Sequence, residues 1–189
     1  MKPRILLALT AALQIILLPE AKLSLKGDST LHPFSSTATE FSMTVLSTAA
    51  ANGAPLAELV AKGQLSGLEV SIPVKALKSG ESGLDRNLLK AIKAEQFQEI
   101  HFRLSGYAAE GADKVKASGM LSIAGKEQAV ELEAETETVE KGLRIKGSKD
   151  LLMSEYGIKP PSLMMGMIKV KDWVIISYDF ILGIKKEAL

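Results

Sequence analysis

From Leu23 onward, apolar and polar residues alternate along most of the chain. Leu68, Val70, Ile72 and Val74 take every second position over 68–74, and Ile100, Phe102 and Leu104 do so over 100–104. The same pattern runs through Val130, Leu132 and Ala134, through Leu143 and Ile145, and through Gly119–Ile123 with one slip at Met120. A period of two describes a strand with one buried and one wet face. Turn-forming pairs fall between these runs: Asn52-Gly53, Ser79-Gly80, Glu110-Gly111, Ala124-Gly125 and Lys141-Gly142. Short strands joined by tight turns predict an antiparallel meander, folded as a sandwich or a barrel. Roughly ten residues per strand and turn, from Leu23 to Leu182, fit about eight strands closing as a barrel.

Helical spacing is confined to one convincing segment. Leu84, Leu88, Leu89 and Ile92 form a stripe opposite Lys90 and Lys93, with Ser82 and Gly83 at its start. Residues 55–62 predict one further helical turn. Two short helices cannot cover a long sheet, so the strands must bury their apolar faces against each other. The last run sets the register. Val174, Ile176, Tyr178, Phe180 and Leu182 share one face, and Trp173, Ile175, Ser177, Asp179 and Ile181 share the other. That second face is half apolar, which predicts a cover on the outside. The helix at 84–93 and a homodimer contact are the two candidates.

Before this strand, Pro160-Pro161 precedes an apolar loop holding Leu163, Met164, Met165, Met167 and Ile168. Loops normally face water, so this loop calls for an apolar partner, either the protein's core or a greasy ligand. At the other end, Lys2 and Arg4 lead into an almost wholly apolar run from Ile5 to Leu18, followed by Pro19-Glu20-Ala21. This predicts a secretory signal peptide over 1–21, with cleavage near Ala21 and one domain over 22–189, placed in the periplasm or outside the cell. An uncleaved N-terminal anchor is the alternative.

Composition narrows the function classes. The 189 residues are 47% hydrophobic and 24% charged, with a net charge of +1 and no basic cluster. This is a globular chain without a nucleic-acid footprint. It has no cysteine, so thiol nucleophiles, disulfides and cysteine–zinc sites are excluded. Its two histidines are far apart. His101 points to the opposite face from Ile100 and Phe102, and His32 stands beside Pro33 at a strand start. Neither spacing suggests a metal ligand set or a catalytic base. Asp85 suits the positive end of the 84–93 helix, and Arg86 suits a surface ion pair or, less simply, a head-group contact. Glu131, Glu133, Glu135 and Glu137 occupy every second position, as a solvated strand face does. No phosphate loop, nucleophile elbow or zinc-binding helix is present. The chain reads as a non-enzyme without metal or cofactor.

The inward positions are mostly medium-sized, and aromatic residues are only 5% of the chain. An eight-stranded barrel is just wide enough to fill itself or to hold one slim ligand. The residues alone leave a dry core and a channel equally open.

Several segments in order resemble the YceI-like family of periplasmic lipid-binding barrels. They are Gly27-Asp-Ser-Thr-Leu-His-Pro-Phe34, Val70-Ser-Ile-Pro-Val-Lys-Ala-Leu-Lys-Ser-Gly80, Leu84 to Phe97, Ile100 to Leu104, Gly119 to Lys126, and Tyr156 to Pro161 with the final strand. The stretch Ser47–Gly67 departs from the pattern in being longer and richer in alanine. The resemblance implies an all-β, extended, eight-stranded antiparallel lipocalin-like barrel with one or two short helices around a long apolar channel. The implied occupant is a polyisoprenoid, an isoprenoid quinone tail or a fatty-acid-like chain, with transient membrane contact open to such a carrier. The channel wall would comprise Leu68, Val70, Ile72, Val74, Phe102, Leu121, Ile123, Val130, Leu132, Leu143, Ile145, Val174, Ile176, Tyr178 and Phe180. Met164, Met165 and Met167 would line or gate its mouth. The expected function is to sequester or carry a long apolar lipid; a ligand-free barrel acting through protein–protein assembly is the rival.

Overall fold

A computed structural model describes residues 14–48 and 54–185. The Asn52-Gly53 turn and the charged start of the predicted signal peptide lie outside the described residues. The strands are β1 (Ile15–Leu17), β2 (Lys22–Ser29), β3 (Phe34–Ala38), β4 (Ser42–Ser47), β5 (Leu65–Pro73), β6 (Leu77–Lys78), β7 (Glu99–Glu110), β8 (Lys114–Ile123), β9 (Lys126–Val139), β10 (Gly142–Leu152), β11 (Ser162–Leu163) and β12 (Ile168–Ile184). Two helices accompany them, α1 (Leu56–Ala61) and α2 (Ser82–Ile92).

These segments make a closed antiparallel barrel of eight staves and two short helices. β1 and β2 are two halves of one bent stave, since both pair with the same edge of β12. β3 and β4 form the next, because β3 pairs with β2 while β4 pairs with β1. β5 and β6, joined by a short 3-10 turn at Val74–Ala76, form the third. β7, β8, β9, β10 and β12 complete the circle by successive antiparallel pairing. The β8–β9 hairpin turns on Ala124 and Gly125, both in the left-handed region at φ 51° and 75°. This mirror-image turn matches the right-handed twist of the flanking strands.

One ladder stops early. β10 pairs with β9 only from Gly142↔Val139 to Gly147↔Ala134. Past Gly147, β10 continues against β12 as far as Leu152, while the first half of β9 is held by β8. The two edges therefore separate on one side of the wall. The Gln128 side-chain amide, donating to the Glu155 carbonyl at 2.9 Å, ties them at the far end.

The core forms two clusters. The smaller gathers Leu56, Leu59 and Val60 of α1 with Ile15, Val45, Leu143 and Leu182. Helix α1, within the alanine-rich stretch, thus packs inward and stoppers one end of the barrel; Leu59 is 1% exposed. The larger cluster fills the middle and the opposite end, where Ile92 of α2 is buried and Leu88, Leu89 and Ala91 pack against it. Asp85 accepts from both the backbone N–H and the hydroxyl of Ser79, at 2.8 and 2.6 Å, fastening the first turn of α2.

α2 does not cover the outside of β12, as one sequence expectation had it. Its apolar stripe is spent on the barrel end. Trp173 keeps 38% exposure beside its cross-strand neighbour Leu152, with the Lys171 ammonium 5.9 Å from the ring centre.

Candidate functional site

Alternation brings one face of every stave into a shared apolar interior. The main chamber has a volume of about 180 Å³. Its wall includes Leu68, Val70, Ile72, Phe102, Leu121, Val130, Leu132, Ile145, Ile176, Tyr178 and Phe180, all expected from the sequence. Val60 of α1, with Leu65 and Leu182, closes one end. A second chamber of about 120 Å³ lies beneath Leu84, Leu88, Ala91 and Ile92 of α2, against Ile123, Val174 and Val170. The chambers share walls at Leu25, Leu77, Ile100, Leu151 and Ile176.

Five expected residues stand elsewhere. Val74 is fully buried in the 3-10 turn between β5 and β6, where the alternation breaks, and it lines neither chamber. Leu143 faces inward but packs in the α1 cluster, which occupies the space a ligand would need. Met164, Met165 and Met167 project into solvent, with Met164 at 63% exposure. β11 folds back on the start of β12, and Met164, Met165 and Gly166 all adopt positive φ. That reversal aims the three methionines away from the barrel. Leu31 is exposed on the adjoining β2–β3 turn, whose Thr30 hydroxyl donates to the Met167 carbonyl at 3.3 Å.

Several wall positions were missed by pattern reasoning. Leu25 and Met43 lie on staves that are each divided into two strands, and α2 contributes a roof that only its apolar stripe could have suggested. Lys149 is the least expected. It pairs directly with Ile176, so both side chains share the inner face, and it lines the main chamber.

The polar groups of the interior are few. Tyr178 is buried, and its hydroxyl donates to the Glu133 carbonyl at 2.8 Å. Burial, aided by the nearby Glu133 charge, pushes its phenol up to about 12. Tyr156, buried under the lower end, is pushed up to about 12 for the same chief reason, with Glu155 adding to it. The Tyr156 hydroxyl has no hydrogen-bond partner.

Charged residues otherwise face outward. A wide depression of about 630 Å³ is lined largely by outward-facing polar residues such as Lys22, Lys114, Glu135, Lys146 and Ser148. It is more open and more polar than either chamber, so it offers little to an apolar ligand. Arg144 grips Asp179 through two hydrogen bonds of 2.8 and 2.6 Å, holding that carboxyl below its ordinary range. Glu131 pairs with Lys116 at 3.2 Å. His101 is exposed beside Glu99 at 3.1 Å, and exposed His32 contacts the Pro33 carbonyl through Nδ1. Arg86 is exposed on α2, lines neither chamber and forms no ion pair among the described residues. Among the described residues, no cluster of three or more His, Asp or Glu could hold a metal ion.

The sequence matches the YceI-like domain over residues 22–182. The chain belongs to the YceI-like family. Its fold is similar to that of Burkholderia cenocepacia BcnA, with a TM-score of 0.70 at 18% identity, over 86% of this chain and 96% of that one. A polyisoprenoid binding domain from Saccharophagus degradans, implicated in plant cell wall breakdown, aligns with a TM-score of 0.68 at 11% identity, over 92% and 99% of the two chains. The Campylobacter jejuni YCEI protein aligns with a TM-score of 0.61 at 16% identity, over 80% and 85%. At these identities the likeness is one of fold. No curated protein matches the sequence. The YceI-like match begins at Lys22, so β1 lies outside it although it completes a stave of the barrel.

Proposed function

We propose that this YceI-like protein is an exported binding protein that sequesters or carries one long apolar lipid inside its barrel. The observation that carries the reading is the pair of adjoining chambers, walled almost wholly by aliphatic and aromatic side chains. Each is smaller than an ordinary small-molecule site of about 300–1,000 Å³, so the fitting occupant is a slim chain spanning both. Polyisoprenoid, isoprenoid-quinone and fatty-acid-like chains have this shape. Each methylene removed from water contributes about 0.8 kcal/mol, so the chain itself supplies most of the binding energy. The polyisoprenoid-binding relative supports the class of ligand. The surface positions of His32 and His101 support binding rather than catalysis.

The apolar N-terminal run supports export to the periplasm or beyond. The exposed tip of Leu31, Met164, Met165 and Met167 supports transient contact with a membrane during loading.

Native mass spectrometry on protein purified mildly from its own host tests the reading. A bound mass lost on organic extraction is the expected result. A ligand-free barrel that changes mass only by dimerising would overturn it, and would favour assembly through the half-exposed Leu152 and Trp173 face.

A further inference from the structure

Lys149 is out of place in an apolar wall. Its register partner Ile176 belongs to both chambers, so the lysine stands at their junction. Its inner-face neighbours along β10 are Gly147 and Leu151, and Leu151 is buried. The side chain is half-buried, and it makes no ion pair or hydrogen bond among the described residues. A half-buried lysine in an apolar wall loses part of its hydration, which an anionic or hydrogen-bonding partner would offset.

The surrounding strands supply no such partner. On β9, Glu131 and Glu133 alternate outward while Leu132 faces in, and Glu131 is held by Lys116. The Glu133 carbonyl is already taken by the Tyr178 hydroxyl. What lies beside Lys149 is the break in the wall. The β9–β10 ladder ends at Gly147↔Ala134, two residues before it, so position 149 has no β9 partner. A lysine stem can follow the apolar wall while its charged end reaches such an opening. The chain-binding space, a cation without a counter-ion and an interrupted wall therefore coincide at one point.

We propose that Lys149 is the head-group contact of the cavity, and that the occupant is an anionic amphiphile. Its carboxylate or phosphate sits at the gap between β9 and β10, and its chain extends into the chambers. This inference rests on the lipid-binding reading and narrows it from any apolar chain to one with an acidic end. Ammonium-to-oxyanion hydrogen bonds are among the stronger ones available to a protein. A neutral alcohol or a quinone ring would leave the ammonium without its counter-charge.

Four probes and three proteins test it. Delipidated wild type, Lys149→Met and Lys149→Arg are titrated with oleate, oleyl alcohol, farnesyl phosphate and farnesol, with thermal melting as the check on folding. The wild type is expected to favour one acid over its matched alcohol by about tenfold. Lys149→Met is expected to lose that preference while still binding the alcohol, and Lys149→Arg to keep it. Preference for oleate identifies a carboxylate head, and preference for farnesyl phosphate a phosphate head. Equal discrimination by wild type and Lys149→Met overturns the head-group role but leaves lipid carriage standing, as does a wild type that binds acids and alcohols alike. A wild type that binds none of the four overturns both. Should Lys149→Met unfold, Lys149→Gln replaces it, with the same outcomes deciding.

Discussion

The hydroxyl of Tyr178 on β12 donates to the backbone carbonyl of Glu133 on β9, at 2.8 Å, reaching across the intervening β10. Gly147 makes the crossing possible. A Cβ at that position would overlap both the Tyr178 hydroxyl and the Glu133 carbonyl. The bond sits where the β9–β10 ladder stops, so it pins the upper edge of the break.

Gly147→Ala should therefore destabilise the barrel by about 1–3 kcal/mol through overpacking. Tyr178→Phe should cost about 1 kcal/mol for the lost hydrogen bond. Urea unfolding of both variants measures these effects. A Gly147→Ala barrel as stable as wild type would mean that β10 can shift to admit a side chain.

Tryptophan substitution separates wall from tip. Ile176→Trp and Val174→Trp should fill the chambers and reduce retained lipid several-fold, because both residues line them. Met165→Trp should leave retention unchanged, since its side chain is in solvent. Quantifying extracted lipid per mole of folded protein distinguishes the three. Loss of lipid with Met165→Trp alone would restore the methionine loop as a gate.

Leu59→Ala should cost about 2–4 kcal/mol, the usual range for emptying a tightly packed leucine site. Leu59 is the most deeply buried residue of α1. Calorimetry on the purified protein provides the check. A small effect would show that the helix is a lid resting on the barrel instead of part of its core.

Alkaline stability follows from the two buried phenols. Tyr156 and Tyr178 are both pushed up to about 12, from an ordinary value of 10.0. The unfolded chain releases these protons first, so it binds fewer protons than the native state between pH 10 and about 12. The stability these two groups contribute is full below pH 10 and is lost as pH rises through that window. Tyr178→Phe should make the fall shallower. Denaturation midpoints at pH 9, 10, 11 and 12 test the slope; a flat profile would place both hydroxyls in contact with water.

Export should remove strand β1. Cleavage near Ala21 would take β1 with it, leaving Val45, Leu182 and Ile184 without their partners on that edge. The intact mass of protein recovered from the periplasm or medium should correspond to a chain starting near Lys22. A mass retaining residues 15–17 would instead make β1 a permanent part of the closure.

The barrel was legible because its strands alternate cleanly and its turns are marked by glycine. Leu68, Val70, Phe102, Leu121, Val130 and Tyr178 could be assigned to the inside from spacing alone. The errors arose where alternation stops being informative. Val74 sits in a turn, where parity has no meaning. Leu143 faces inward as expected, but the helix at 56–61 comes from an insertion whose destination no local pattern reveals. The methionines were read by composition, while their direction depends on left-handed backbone at Met164 and Met165. Lys149 continues the parity of Leu143 and Ile145, but a charged residue gives no hydrophobic signal of an inward face.

The stopper formed by α1 also gives the barrel a direction. With α2 roofing the far end, a chain whose head is held at the β9–β10 gap runs tail-first towards α1, and Val60 sets where the tail must halt. Tails that stop short would leave unfilled space, and longer ones would remain partly in water. The helix thus acts as a ruler, and a smaller residue at position 60 would move its zero mark.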